Sequence, residues 1–198
     1  MADINETASN LLEKISNILE KPYHAMALGG GIAAGILLLY HAGVLFGGSY
    51  FGPFLTFLHV VSGIAWIGLL YYFNLVQIPT MAKIPAELKP GIGKYIAPEA
   101  LFWFRWSMVA TVATGIIVLF SGSAVINMTL ITGIILGLIM AFNVWYIIWP
   151  NQQKALGLVP AEDDEKTKSA RLAMLTSRAN FALSIPMLYC MVIARYFP

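Results

Sequence analysis

The sequence predicts an all-α integral membrane protein, a five-transmembrane-helix bundle preceded by an N-terminal amphipathic helix. Two observations carry that prediction. Hydrophobic residues make up 59% of the 198-residue chain and charged residues only 11%, with a mean hydropathy of +0.74; soluble domains carry about 25% charged residues. The apolar residues also fall into stretches long enough, at roughly 20 residues, to cross a hydrocarbon core as helices. The length suits a single membrane domain over residues 1–198 and leaves no room for a second, soluble one. A net charge of +2 gives no footprint for nucleic acid. Cys190 is the only cysteine, so the sequence holds no internal disulfide, no CxxC site and no CxxCH for covalent haem attachment. The acidic N-terminal residues Asp3, Glu6 and Glu13 do not resemble a cleavable signal peptide.

Within residues 1–22, Leu11, Leu12, Ile15, Ile18 and Leu19 oppose Glu13, Lys14 and Glu20, which predicts a short helix lying on the membrane surface. Pro22 breaks it. The first span, about 23–46, carries the small residues Gly29, Gly30, Gly31, Ala33, Ala34 and Gly35, a face suited to close helix packing. The short uncharged connection GGSYFGP then predicts an antiparallel hairpin with the second span, about 54–78. Four prolines after Ile78, together with Lys83, Glu87, Lys89, Lys94 and Glu99, predict a loop over 79–100. The third span is expected at about 100–120. A fourth, about 124–149, has Gly133 and Gly137 at small-xxx-small spacing and ends in an aromatic belt, NVWYIIWP. A surface helix over about 163–177 and a fifth span at about 180–197, kinked by Pro186, complete the chain.

Of the 12 basic residues, all but Arg195 fall before the first span, around the second connection, or between the fourth and fifth spans. Positive residues stay cytoplasmic, so a bacterial inner-membrane protein with its N-terminus inside and its C-terminus in the periplasm is expected.

The candidate site lies on the second span, where steps of three or four residues from His59 collect Gly63, Trp66, Leu70, Asn74 and Gln77 on one face. Polar groups are costly in lipid and turn toward protein, so this face should look into the bundle. His41 on the first span and His59 both fall roughly 9 Å below the outer surface at 1.5 Å per residue. Two histidines at matched depth suit the axial ligation of one haem b iron, with Gly63 and the Gly31 and Ala34 stripe leaving room for a flat macrocycle. The plainer alternative is a histidine satisfied by a backbone carbonyl. His24, at the inner edge of the first span, can simply be wet. Toward the cytoplasmic ends, Asn74, Gln77, Arg105 and Asn143 form a second polar cluster. Arg105, between Trp103, Phe104 and Trp106 and about five residues inside its span, can clamp an anionic or planar ligand or snorkel to headgroups, with Glu99 as an ion-pair partner.

The motifs LHVVSGIAWIG, ALFWFRW and NVWYIIWPNQQ, in that order over about residues 54–190, resemble the urate oxidase N-terminal domain family, the membrane domain of bacterial membrane-bound urate oxidases. The resemblance implies a polytopic inner-membrane domain linked to urate oxidation, with electrons passed to a cytochrome c domain, and it makes His59, Gly63, Trp66, Gly68, Trp103, Arg105 and Trp106 the positions of interest. This sequence departs from the pattern in having no cytochrome c segment and in placing Phe102 where the family pattern LHWFKW has a histidine. The His then Trp-Ile-Gly pattern is also similar to other small haem-binding membrane families, including the protoporphyrinogen oxidase type and copper-resistance membrane proteins. Three functions stay open on the sequence: a haem b protein that transfers electrons, alone or as a respiratory or oxidase subunit; an oxidoreductase of the urate oxidase type; and a haem-free structural subunit. Besides the lipid bilayer, the expected partners are a membrane protein or a second copy of the chain, with cytochrome c or a quinone as redox partners.

Overall fold

The computed structural model describes residues 2–46 and 50–197, and every regular element among them is helical. The chain divides into two compact units, Met1–Phe51 and Gly52–Pro198.

The first unit consists of α1, Ala2–Leu19, and α2, Pro22–Phe46. Leu11, Leu12 and Leu19 are exposed on α1. Pro22 opens α2 at a position where its missing N–H is lost to no partner. The small-residue run of α2 meets no neighbour within its own unit. Residues 47–49 of the GGSYFGP connection lie outside the described residues.

The second unit contains α3, Phe51–Met81; α4, Lys89–Phe120; α5, Met128–Ala155; and α6, Asp163–Ile193. Helices α2 to α5 are the four that are long and apolar enough to cross a membrane. Successive helices of the second unit run in opposite directions. At one end Gly52 packs against Ser123, and the Asn127 Nδ2 donates to the carbonyl of Ala194 at 2.8 Å. At the other, Lys154 pairs with Glu165.

The loop expected over 79–100 shrinks to residues 82–88, because three of its four prolines sit inside helix. The reason is a recurring device. Wide π-helical turns occupy Tyr72–Gln77, Ile92–Ile96 and Asn143–Ile148, and each is followed two residues later by proline: Pro79, Pro98 and Pro150. A proline in a regular α-helix clashes with the carbonyl four residues earlier and leaves it without a donor. Those carbonyls belong to Leu75, Lys94 and Tyr146, all within the wide turns, so the local change of register lets each helix continue past its proline.

Glycine and asparagine set the remaining boundaries. Gly122 and Gly157, both at φ +70°, terminate α4 and α5 in the left-handed conformation that only glycine adopts freely. Asn127 caps α5, its side chain accepting from the Leu130 N–H at 2.9 Å, which moves the start of that helix from the expected 124 to Met128. The surface helix and the separate fifth span expected over 163–197 are instead one continuous helix, α6. No glycine interrupts it, and its inward stripe of Ser169, Ala173, Ser177, Asn180, Ser184, Met187 and Cys190 holds one phase through both halves.

The core of this unit is built by Trp66, Leu70 and Phe73 on α3, Leu101, Phe104 and Met108 on α4, Met140, Val144 and Ile148 on α5, and Met187 on α6. Phe73 meets Phe104 edge-on at 5.5 Å. The small-residue spacing on α5 works as expected: Gly133 faces Cys190 and Gly137 faces Met187. A Cβ at Gly133 would stand 2.9 Å from the Cys190 Cβ, whereas one at Gly137 would be 3.9 Å from Met187 Cγ. Gly133→Ala is therefore expected to destabilise the fold by about 1–3 kcal/mol, the usual range for overpacking, and Gly137→Ala to be close to neutral. Thermal unfolding of both variants in detergent checks the contrast.

Candidate functional site

The α3 face looks into the bundle as its spacing predicts. Trp66, Leu70 and Asn74 are buried, and His59, Gly63 and Gln77 are partly buried. His59 packs on α4, where its Nδ1 lies 2.8 Å from the carbonyl oxygen of Thr111 and 3.4 Å from the hydroxyl of Thr114. A carbonyl oxygen can only accept, so Nδ1 carries the proton and Nε2 keeps the lone pair. The Thr114 hydroxyl itself donates to the carbonyls of Ala110 and Thr111. Gly115 makes room for the ring, since a Cβ there would stand 2.9 Å from the His59 Cε1. Gly63, expected to leave a gap below His59, is at ordinary contact distance from Thr111, 3.8 Å from where a Cβ would be to its Cγ2. His41 belongs to the first unit, where it is exposed and its ring centroid is 6.3 Å from that of Tyr50.

The second polar cluster resolves into two groups. Asn143 donates through Nδ2 to the Oδ1 of Asn180 at 2.8 Å, and Asn180 donates to the Met140 carbonyl at 2.9 Å. Asn74 donates to the Leu70 carbonyl at 2.9 Å and to the Ser177 hydroxyl at 3.0 Å, and Ser184 reaches the Tyr71 hydroxyl at 3.3 Å. These bonds stitch α3 and α5 to α6. They satisfy Asn143, but the Asn74 Oδ1, the Gln77 Oε1 and the Trp66 Nε1 are buried without a partner among the described residues. The wide turns bring Asn74, Gln77 and Asn143 into this zone, since all three lie within such turns.

Arg105 stands apart from both groups. Its guanidinium packs on Trp149, the Cζ 3.3 Å from the ring centroid, and its buried Nη1 has no hydrogen-bond acceptor among the described residues. Glu99 is not its ion-pair partner: that carboxylate accepts from the Trp103 Nε1 at 3.1 Å, and no ion pair to Arg105 occurs among the described residues. Arg105 is also further along its helix than expected, because α4 begins at Lys89 rather than near residue 100. The salt bridges gather instead where α5 meets α6, as Lys154–Glu165, Lys166–Asp163 and Lys168–Asp164. The hydrogen bond from Lys166, reinforced by its charge, holds the exposed Asp163 carboxyl below its ordinary value. A lowered carboxylate pKa contributes stability above the unfolded value and loses it as pH falls through the folded one, so this bridge is intact at neutral pH.

The sequence reading missed Thr111, Thr114 and Gly115 on α4 and Ser177, Asn180 and Ser184 on α6. In each case the available signal was a run of small or polar residues at three- or four-residue spacing within an otherwise apolar or mixed helix.

Long apolar helices with their polar side chains turned inward define a multi-pass helical membrane protein. Residues 108–198 match the family model described as urate oxidase N-terminal, which upholds the resemblance to that family over this segment. The motif NVWYIIWPNQQ lies inside the matched segment, and LHVVSGIAWIG and ALFWFRW precede it. No curated protein and no solved structure matches the chain.

The Asn143–Asn180 bond gives a direct test of the polar stitching. A double-mutant cycle with Asn143→Ala and Asn180→Ala is expected to return a coupling of about 0.6–1.7 kcal/mol, the range for interhelical hydrogen bonds in membranes. Unfolding in mixed micelles measures it.

Proposed function

We propose that this protein is a membrane-embedded haem b protein that transfers electrons, with His59 as the residue of the four-helix unit that would hold the iron. The observation that supports this reading best is the Nδ1–H of His59 bonded to the Thr111 carbonyl. Metal-bound histidines usually donate their other ring nitrogen to a carbonyl or carboxylate, which fixes the tautomer and aims the free lone pair. The donor chemistry around His59 therefore fits a haem iron. Trp66 adds a buried N–H without an acceptor, two turns further along the same face. A haem held there would supply single-electron exchange, and the chain's own residues orient the His59 imidazole. In the same proposal α6 is the fifth span, the connections 82–88 and 156–162 face the cytoplasm of a bacterial inner membrane, and a cytochrome c, a quinone or another membrane subunit is the redox partner.

The visible spectrum of the purified chain tests this. A Soret band is expected, lost in His59→Ala and shifted or weakened in Gly115→Ala, whose new methyl displaces the ring. A protein with no Soret band, or with one indifferent to His59, removes the haem reading.

The family match over residues 108–198 favours a second reading, an oxidoreductase of the urate oxidase type using Arg105, Asn74, Gln77 and Asn143 toward its substrate. Membranes carrying the chain would then consume urate with a partner oxidant, and no consumption above control membranes counts against it.

A further inference from the structure

We infer that Arg105 and the face of Trp149 form a binding site for a phosphate oxyanion, filled in the membrane by the headgroup of an anionic phospholipid. The site rests on three observations. First, the guanidinium carbon stands 3.3 Å from the centroid of an indole ring, a contact that holds the cation against that aromatic face. Second, its Nη1 is buried and has no hydrogen-bond partner among the described residues, and a buried donor on a charged group carries a large desolvation cost until an acceptor arrives. Third, no carboxylate among the described residues pairs with it: the nearest candidate in sequence, Glu99, is engaged by Trp103. A cation oriented on one side, desolvated and without a counter-charge calls for an anion whose oxygens match the guanidinium fork.

Position selects the kind of anion. Arg105 lies 15 residues from the Phe120 end of α4, or about 22 Å at 1.5 Å per residue. In a hydrocarbon core about 30 Å thick, that places it near the opposite interface, within reach of a headgroup. Four of the five tryptophans, Trp103, Trp106, Trp145 and Trp149, share this zone, and Trp103 and Trp106 are exposed on the outer surface. Tryptophans at that level are the residues that settle at headgroup depth. The site thus lies beside exposed aromatic surface. It depends on the chain spanning a membrane and not on haem, so Arg105→Gln should leave any Soret band unchanged.

The test uses the full chain, delipidated in mild detergent. Native mass spectrometry with added phosphatidylglycerol or phosphatidylcholine reads lipid binding, and thermal unfolding in millimolar inorganic phosphate reads a free oxyanion. We expect phosphatidylglycerol to bind the wild type in preference to phosphatidylcholine, and Arg105→Gln to weaken it about tenfold or more, as the loss of a charge-assisted hydrogen bond implies. Stabilisation by inorganic phosphate that needs Arg105, without lipid preference, upholds the oxyanion chemistry and makes the natural ligand soluble. Equal behaviour of wild type and folded Arg105→Gln in both arms overturns the inference. If Arg105→Gln loses its helical circular dichroism, Trp149→Leu, which keeps the charge and removes its platform, decides in the same way: undiminished binding overturns the inference.

Discussion

Asn180 makes the contact on which the four-helix unit most depends. Its side chain is fully buried, accepting from Asn143 and donating to the Met140 carbonyl, so a single residue of α6 binds two points one turn apart on α5. An amide in an apolar interior has no water to fall back on, and removing either partner would leave a buried polar atom unpaired. Apolar packing alone would tolerate sliding or rotation of α6, since one hydrocarbon surface fits another in many registers. The Asn143–Asn180–Met140 chain, the Asn74–Ser177 bond above the opposite helix and the close approach of Gly133 to Cys190 together permit one register.

The wide turns follow from the same constraint. Each proline removes one main-chain donor, and each is preceded by a change of helical register that spares the helix a break. The cost is an irregular stretch of backbone in three helices of the unit. The consequence is that Asn74, Gln77 and Asn143 are carried on segments whose side-chain phase differs from a regular helix. The amide oxygens left unpaired at Asn74 and Gln77 lie in one of these turns, which marks it as the part of the bundle with unspent hydrogen-bonding capacity.

The two ends of the candidate site are chemically distinct. At His59 the protein supplies an oriented imidazole, held by a main-chain carbonyl and fitted against a glycine. At Arg105 it supplies a positive charge on an aromatic platform, with no ion-pair partner among the described residues. The salt bridges of the described residues lie away from both, in the polar connection between α5 and α6, where exposed charges cost little and contribute little. Charge within the bundle is thus sparse.

Much of this architecture was legible in the amino-acid order. Hydropathy determined the helical class and most of the spans, because a chain in lipid must satisfy its backbone within each segment. The period of α3 determined which face carries His59, Trp66 and Asn74 inward, and the small-residue spacing of α5 determined its packing face. Tertiary structure alone decided the rest. Prolines read locally as loop breakers, yet Pro79, Pro98 and Pro150 lie in helix, each two residues after a widened turn that accommodates it. The mixed composition of α6 reads as surface helix followed by span, yet its one inward stripe is matched by the bundle along its full length. Which nitrogen of His59 keeps its lone pair, and whether Arg105 has an acid beside it, depend on residues such as Thr111 and Trp149 that are distant in sequence. Periodicity says which side of a helix a residue occupies; only packing says what stands opposite.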